Sequence, residues 1–288
     1  MDAFFEILKA ILFGIVEGVT EWLPVSSTGH MILLDEFVKL NMSEVFYDLF
    51  EIVIQLGAIA AVLVLFFHKL NPFAPSKSTE EKSRTWSLWF KVVAAVIPSA
   101  VIGLLLDEPL DAFLRSHHIF GASLNAIVVA AMLILYGVAF IVVEKRNAGK
   151  PCKVTEPTQL TYKTALLIGA FQCLSIIPGT SRSGATILGA ILLGVSRSAG
   201  AEFSFFLAIP TMLGASALKL LKFLLSGVRA TGMEITVLLV GCVVSFLVSL
   251  LVIKGLMDFV RKHSFSAFGV YRIILGVLVL GYFIIAGL

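Results

Sequence analysis

The sequence predicts an all-α polytopic membrane protein, built as an inverted-topology repeat of six spanning helices plus two re-entrant helical hairpins. Three observations predict it. Apolar residues make up 58% of the 288 residues and charged residues 14%, against about 45–50% and about 25% in soluble domains. Six stretches are long enough to cross a bilayer, which takes roughly 20 mostly apolar residues each. Two further regions hold paired apolar arms, each too short to cross, joined by polar turns. This composition excludes a disordered chain, a nucleic-acid-binding domain and an ordinary soluble enzyme.

In chain order, the first hairpin has an apolar arm at 3–16, a polar turn from Glu17 to His30 and a short return at 31–34. Spans are expected at 46–67, 86–106 and 119–143. The second hairpin has arms at 165–178 and 185–195 around the turn Gly179–Gly184. Spans follow at 205–225, 233–253 and 267–287. Pro98 and Pro210 lie inside two spans, where a neighbour must satisfy the freed carbonyl. Irregular backbone at membrane depth is tolerated only inside protein or beside a watery cavity, so the two turns are expected to be enclosed. The hairpins also resemble one another. Gly14-Ile-Val-Glu17 lines up with Gly169-Ala-Phe-Gln172, and Pro24–Gly29 with Pro178–Gly184 after one residue of slippage.

Charge supplies the topology. Loop 68–91 carries Lys69, Lys77, Lys82, Arg84 and Lys91. Loop 144–164 carries Lys145, Arg146, Lys150, Lys153 and Lys163, and loop 254–264 carries Lys254, Arg261 and Lys262. Loop 107–118 holds Arg115 against Asp107, Glu108 and Asp111. The positive-inside rule places the first three in the cytoplasm and the last outside. The first hairpin then enters from outside and the second from the cytoplasm. Each hairpin is followed by three spans, an odd number, so the second copy is upside down, a layout found in many transporters with the site near the midplane. The units are 1–143, a cytoplasmic linker at 144–164, and 165–288, with both termini outside. Lys219, Lys222 and Arg229 sit awkwardly near the short outer loop 226–232, and they are expected to snorkel outward.

The net charge of +3 is too small to imply an acidic partner, and Cys152, Cys173 and Cys242 form no CxxC pair that would suggest a disulfide framework or a zinc site. The start of the chain has no basic n-region, so no cleaved signal peptide is expected.

The turns carry the chemistry. Glu17 and Glu21 are four residues apart, which puts both carboxylates on one helix face. That pair suits a hard cation, Mg²⁺ or Ca²⁺, that prefers oxygen ligands. Ser26-Ser27-Thr28-Gly29-His30 sets hydroxyls beside an imidazole, a nucleophile-and-base arrangement. The second turn, Gly179-Thr180-Ser181-Arg182-Ser183-Gly184 with Thr186, offers hydroxyls, a guanidinium and a helix N-terminus, each of which favours an anion. Phosphate fits best, because Arg makes paired contacts with its oxygens. Brought together, the two tips hold the parts of phosphoryl transfer, at a place a lipid phosphate could enter sideways. Glu51, Gln55 and Glu202 are expected to support the hairpins. Gln172 replaces a carboxylate with an amide, and His68, His117, His118 and His263 read as solvated.

With these residues in view, the chain resembles the bacterial undecaprenyl-diphosphate phosphatases, also called bacitracin-resistance proteins. The resemblance covers essentially the whole chain. It rests on Glu17–His30, Phe50–Gly57, Pro178–Thr186 and Glu202-Phe-Ser-Phe. It implies hydrolysis of the C55 lipid diphosphate to monophosphate and inorganic phosphate, recycling the carrier for peptidoglycan, with bacitracin resistance as a consequence. It also implies a divalent cation and a multi-pass protein of the bacterial inner membrane with an outward-facing site. Homodimerisation is left open. The other membrane lipid phosphatase pattern, PSGH with a later SR-x5-H, is not met: Phe203 and Leu188 stand where its histidine belongs. On this reading Arg182 and the 179–186 amides bind the phosphates. Ser27 attacks with His30 as base, or His30 is itself the nucleophile or activates water. The rival class is a transporter or flippase of a phosphorylated lipid or anion.

Overall fold

The structure is a computed structural model that describes residues 2–119 and 122–286. It is built from helices α1 (Asp2–Thr20), α2 (Ser27–Phe37), α3 (Glu44–Leu65), α4 (Phe67–Leu70), α5 (Thr79–Ser116), α6 (Leu124–Asn147), α7 (Tyr162–Gln172), α8 (Arg182–Leu192), α9 (Arg197–Leu225), α10 (Gly232–Lys262) and α11 (Ser266–Ala286). Two-residue strands, β1 (His118–Ile119) and β2 (Ala122–Ser123), pair antiparallel between α5 and α6. Six of these helices, α3, α5, α6, α9, α10 and α11, are long and apolar enough to cross a membrane. The chain is a multi-pass, all-helical membrane protein.

All six expected spans exist, with different ends. The segment 107–118, expected as a loop, is helical to Ser116, and α5 begins at Thr79 rather than 86. Likewise α10 runs to Lys262. Charge marks where a helix leaves the apolar layer, not where its hydrogen bonding stops. The stops and starts are set by caps: Ser78 and Glu81 form a capping box at α5, and Thr231 and Glu234 form another at α10. The span expected from 119 begins at Leu124, because β1 and β2 occupy the turn before it. Its positions 120–121, and position 287 of the last span, lie outside the described residues.

Helix pairs compatible with the two expected hairpins stand at both places, the first with longer arms than expected: Glu17–Thr20 and Ser27–His30 of the expected turn are helical. α1 and α2 flank a turn at 21–26, and α7 with a 3₁₀ turn (Cys173–Ile176) precedes α8. Their contacts are compatible with an inverted repeat. α1 packs along α10 and α7 along α5, while α6 packs on α11 and α3 on α9. The aligned glycines explain the first two contacts. A methyl group on Gly14 would lie 2.7 Å from the Gly241 carbonyl oxygen, and one on Gly169 would lie 2.0 Å from that of Ala95. Only a residue without Cβ lets the helices approach this closely.

Two of the three basic residues near the short segment 226–231 lie against acidic side chains. Lys222 pairs with Glu108 of α5, and Lys219 lies 4.0 Å from Asp48 of α3. At the opposite end of these helices, Lys69 pairs with Glu202 at 2.8 Å and Arg197 with Glu144. Glu202, expected to support the hairpin turns, is therefore an end-of-helix ion-pair partner.

Candidate active site

The two hairpin turns meet in the interior, and the same local device builds each. Ser26 (φ 73°) and Ser181 (φ 71°) are the only non-glycine residues with positive φ among those described. Each is an N-cap whose hydroxyl accepts the amide of the glycine three residues on, Gly29 at 3.2 Å and Gly184 at 3.1 Å. Left-handed backbone at a non-glycine residue is costly and persists only where its surroundings hold it. The cap bond turns the chain sharply into α2 and α8, so that both helix N-termini face the turns. The shared geometry also sets the register: Ser26 corresponds to Ser181, and therefore Ser27 to Arg182.

Glu21 joins these two equivalent residues. Its Oε2 accepts from the Ser27 hydroxyl at 2.8 Å, and its Oε1 accepts from Arg182 Nη2 at 3.0 Å. The side chains of Glu21 and Arg182 are 6% and 10% exposed, so the pair is largely screened from solvent. Arg182 Nη1 donates to the Ser204 carbonyl at 2.9 Å. Thr186 holds this arrangement by donating to the Arg182 carbonyl and bonding the Ser204 hydroxyl at 2.7 Å. Ser204 belongs to the Glu202-Phe-Ser-Phe segment, whose contribution is thereby located at Ser204. Ser183 donates to the carbonyls of Glu21 and Leu23 at 3.2 and 3.3 Å, tying the second turn to the first.

The remaining expected residues divide. Glu17 is 1% exposed, and its Oε1 has no hydrogen-bond partner among the described residues. The Glu21 backbone amide donates to the Glu17 carbonyl at 3.0 Å, so the expected helical spacing of the two carboxylates holds. Among the described residues no cluster of three or more His, Cys, Asp or Glu forms a ready metal cage. Gln172, the counterpart of Glu17, donates instead to Ser99 and Thr211. The Thr180 hydroxyl is buried and unpartnered, Gly179 takes φ +85°, and Thr28 is exposed.

The hydrogen bonds of the His30 ring go to groups other than Ser27. Its Nδ1 lies 2.7 Å from the Ser26 carbonyl and its Nε2 lies 2.7 Å from the Tyr271 hydroxyl, with the two rings stacked. A carbonyl only accepts, so Nδ1 carries the proton, and a neutral ring then accepts from tyrosine at Nε2.

Sequence reasoning missed Arg272. It is fully buried in α11 and donates to the carbonyls of Pro24 at 3.0 Å, Gly179 at 2.7 Å and Thr180 at 3.0 Å. Its guanidinium lies over the Tyr136 ring, 5.5 Å from the centroid. The signal was available: it is the one charged residue in an otherwise apolar span, and an ionisable group at membrane depth is a functional candidate by default.

Comparison with known proteins identifies the family. The family described as bacitracin resistance protein BacA matches residues 10–278. A protein named undecaprenyl-diphosphatase from Enterococcus faecalis (strain ATCC 700802 / V583) is 54% identical, over 98% of this chain and 99% of its own. Undecaprenyl-diphosphatase 1 of Clostridioides difficile (strain 630) is 58% identical over 96% of both chains. An undecaprenyl-diphosphatase of Lactiplantibacillus plantarum is 56% identical over 96% of this chain and 98% of its own. With its length matched almost throughout and both turns inside the matched region, this chain belongs to the bacitracin resistance protein BacA family.

Proposed function

We propose that the protein hydrolyses undecaprenyl diphosphate to undecaprenyl phosphate and inorganic phosphate, recycling the lipid carrier for cell-wall synthesis and so conferring bacitracin resistance. The observation that carries this reading is the Ser27–Glu21–Arg182 linkage where the two turns meet. It joins a hydroxyl, a carboxylate acceptor and a phosphate-binding guanidinium within hydrogen-bond distance.

The chemistry follows from these contacts. The incoming diphosphate competes with Glu21 for Arg182, since a phosphate offers the guanidinium the same paired oxygens. The N-termini of α2 and α8 and the hydroxyls of the second turn complete the anion cradle. Ser27 Oγ attacks the terminal phosphorus while Glu21 Oε2 takes its proton. The bridging P–O bond breaks and undecaprenyl phosphate leaves. Water then cleaves the phosphoserine, releasing inorganic phosphate and regenerating the hydroxyl. His30, locked between Ser26 and Tyr271, holds the strained cap from which Ser27 projects. This replaces the expectation that His30 is the base, because neither ring nitrogen is directed at Ser27.

A divalent cation, Mg²⁺ or Ca²⁺, fits beside Glu17 and Glu21. The buried, unpartnered Glu17 oxygen supports this, and Glu17 and Glu21 would be the residues that hold the ion. When bound, such an ion neutralises diphosphate charge and polarises the phosphorus centre.

The two halves, 1–143 and 165–288, are read as inverted copies about the linker 144–164. The site faces outward in the inner membrane, with both termini on that side. The swapped packing of α1 on α10 and α7 on α5 supports the inversion. The same symmetry suits a transporter, so the test must separate the two. Purified protein in detergent, with no gradient, is given undecaprenyl diphosphate, and released phosphate is measured. Release that is lost in Ser27→Ala and Arg182→Ala supports the phosphatase. Lipid movement in vesicles without phosphate release would overturn it.

A further inference from the structure

Two turns more than 150 residues apart in sequence must be held in register to within a fraction of an ångström for Ser27 and Arg182 to share Glu21. The charged contact between the turns, Arg182 to Glu21, belongs to the reacting groups themselves and must loosen when substrate displaces Glu21 from Arg182. Ser183 remains, with two long bonds to one stretch of backbone. Arg272 stands apart. It reaches the first turn through the Pro24 carbonyl and the second through the carbonyls of Gly179 and Thr180, from a helix that belongs to neither hairpin.

The way this charge is buried is unusual. Arg272 is 0% exposed and has no carboxylate partner among the described residues. Its Nη1 and Nη2 donate to backbone carbonyls, including Met132 at 3.4 Å, its Nε has no partner among the described residues, and its guanidinium lies over Tyr136. A buried cation normally requires a paired anion. Here the guanidinium is held instead by carbonyls of both turns, so removing it would release one turn from the other.

We propose that Arg272 is a positioning residue of this site: it clamps the two turns in register through their carbonyls. It does not touch the reacting atoms. Neighbouring Tyr271 secures His30 from the same turn of α11, so α11 serves the site with two consecutive residues. This inference rests on the phosphatase reading for its kinetic test but not for its structural one.

The experiment uses the full chain in detergent. Arg272→Ala, Arg272→Lys and Arg272→Gln are compared with wild type for phosphate release from undecaprenyl diphosphate, with and without added guanidinium chloride at non-denaturing concentration. A misplacement of about 1 Å costs about 10²-fold, so Arg272→Ala is expected to lose about that factor in kcat, with KM changed far less. Guanidinium should restore at least part of that loss, while wild type gains nothing. Lysine keeps the charge but cannot span both turns, so it should recover less than the rescued alanine variant.

In parallel, Trp22 fluorescence is read in a Trp86→Phe, Trp89→Phe background. Trp22 is fully buried in the first turn against Phe205. Arg272→Ala should red-shift its emission, and guanidinium should reverse the shift. Near-normal kcat in Arg272→Ala and Arg272→Gln would overturn the proposal. So would a loss that guanidinium leaves unchanged while the Trp22 signal stays native. If wild type releases no phosphate but the Trp22 shift and its reversal occur, the phosphatase reading fails and the clamp stands.

Discussion

At the scale of single residues, Glu21 concentrates the most chemistry: one carboxylate accepts from Ser27 and from Arg182. Ser27→Ala therefore removes the attacking atom, and a loss of about 10³-fold or more in kcat is expected from nucleophile deletions of this kind. His30→Ala removes only the support of the Ser26 cap and should cost about 10- to 100-fold, as positioning losses do. Phosphate release by the two variants checks this order, and near-normal turnover of Ser27→Ala would sink the serine mechanism. Trapped phospho-enzyme carrying acid-labile phosphate on histidine would do the same. Glu17 allows a separate test. Glu17→Gln keeps the shape but removes the charge, so the Mg²⁺ or Ca²⁺ concentration for half-maximal activity should rise at least tenfold. An unchanged metal titration would remove Glu17 from the cation site. Arg182 and Glu21 were legible as residue types in the sequence. Their pairing was not, because it spans 161 positions.

At the scale of elements, the hairpins depend on close helix contact and on two strained caps. Gly169→Ala would place a methyl group 2.0 Å from the Ala95 carbonyl oxygen, forcing α7 and α5 apart. Overpacking of this kind costs about 1–3 kcal/mol. Gly103→Ala in the middle of α5 meets nothing within 4 Å, and helix propensity should make it neutral or stabilising by up to about 1 kcal/mol. Thermal unfolding in detergent distinguishes them, and equal melting temperatures would contradict the packing argument. Ser181→Ala loses a cap worth about 1 kcal/mol, yet its activity should fall much further, because the same turn aims Arg182. Helix positions could be read from apolar runs and proline, but their ends could not: α5 continues through charged residues to Ser116, since its hydrogen bonds do not depend on the solvent it crosses.

At the scale of the whole molecule, the topology is decided by where basic loops sit. Cys152 is exposed in the segment between α6 and α7, which the positive-inside rule assigns to the cytoplasm. In a Cys173→Ala, Cys242→Ala background, a membrane-impermeant maleimide should label Cys152 in inside-out vesicles and not in intact spheroplasts. Labelling from the outside would invert the topology and the proposed side of the active site. The pairs Lys222–Glu108 and Lys219–Asp48 show how lysines near an acidic end are accommodated. They bond to acidic residues of α5 and α3 there, so their charge need not mark a cytoplasmic end.

The sequence by itself determined that this is a helical membrane protein with six crossings and two polar turns holding Glu17, Glu21, Ser27, His30 and Arg182. These are properties of local composition and spacing, and they survive being read one segment at a time. Only the tertiary structure decided which of those residues act on one another. Ser27 bonds Glu21 rather than His30 because the Ser26 cap directs the ring toward Tyr271. Arg272 became visible as part of the site only when α11 was seen to reach both turns. A short-range bond within a helix is set by neighbours in the chain. A bond between two turns is set by every helix packed around them, and no local pattern records it.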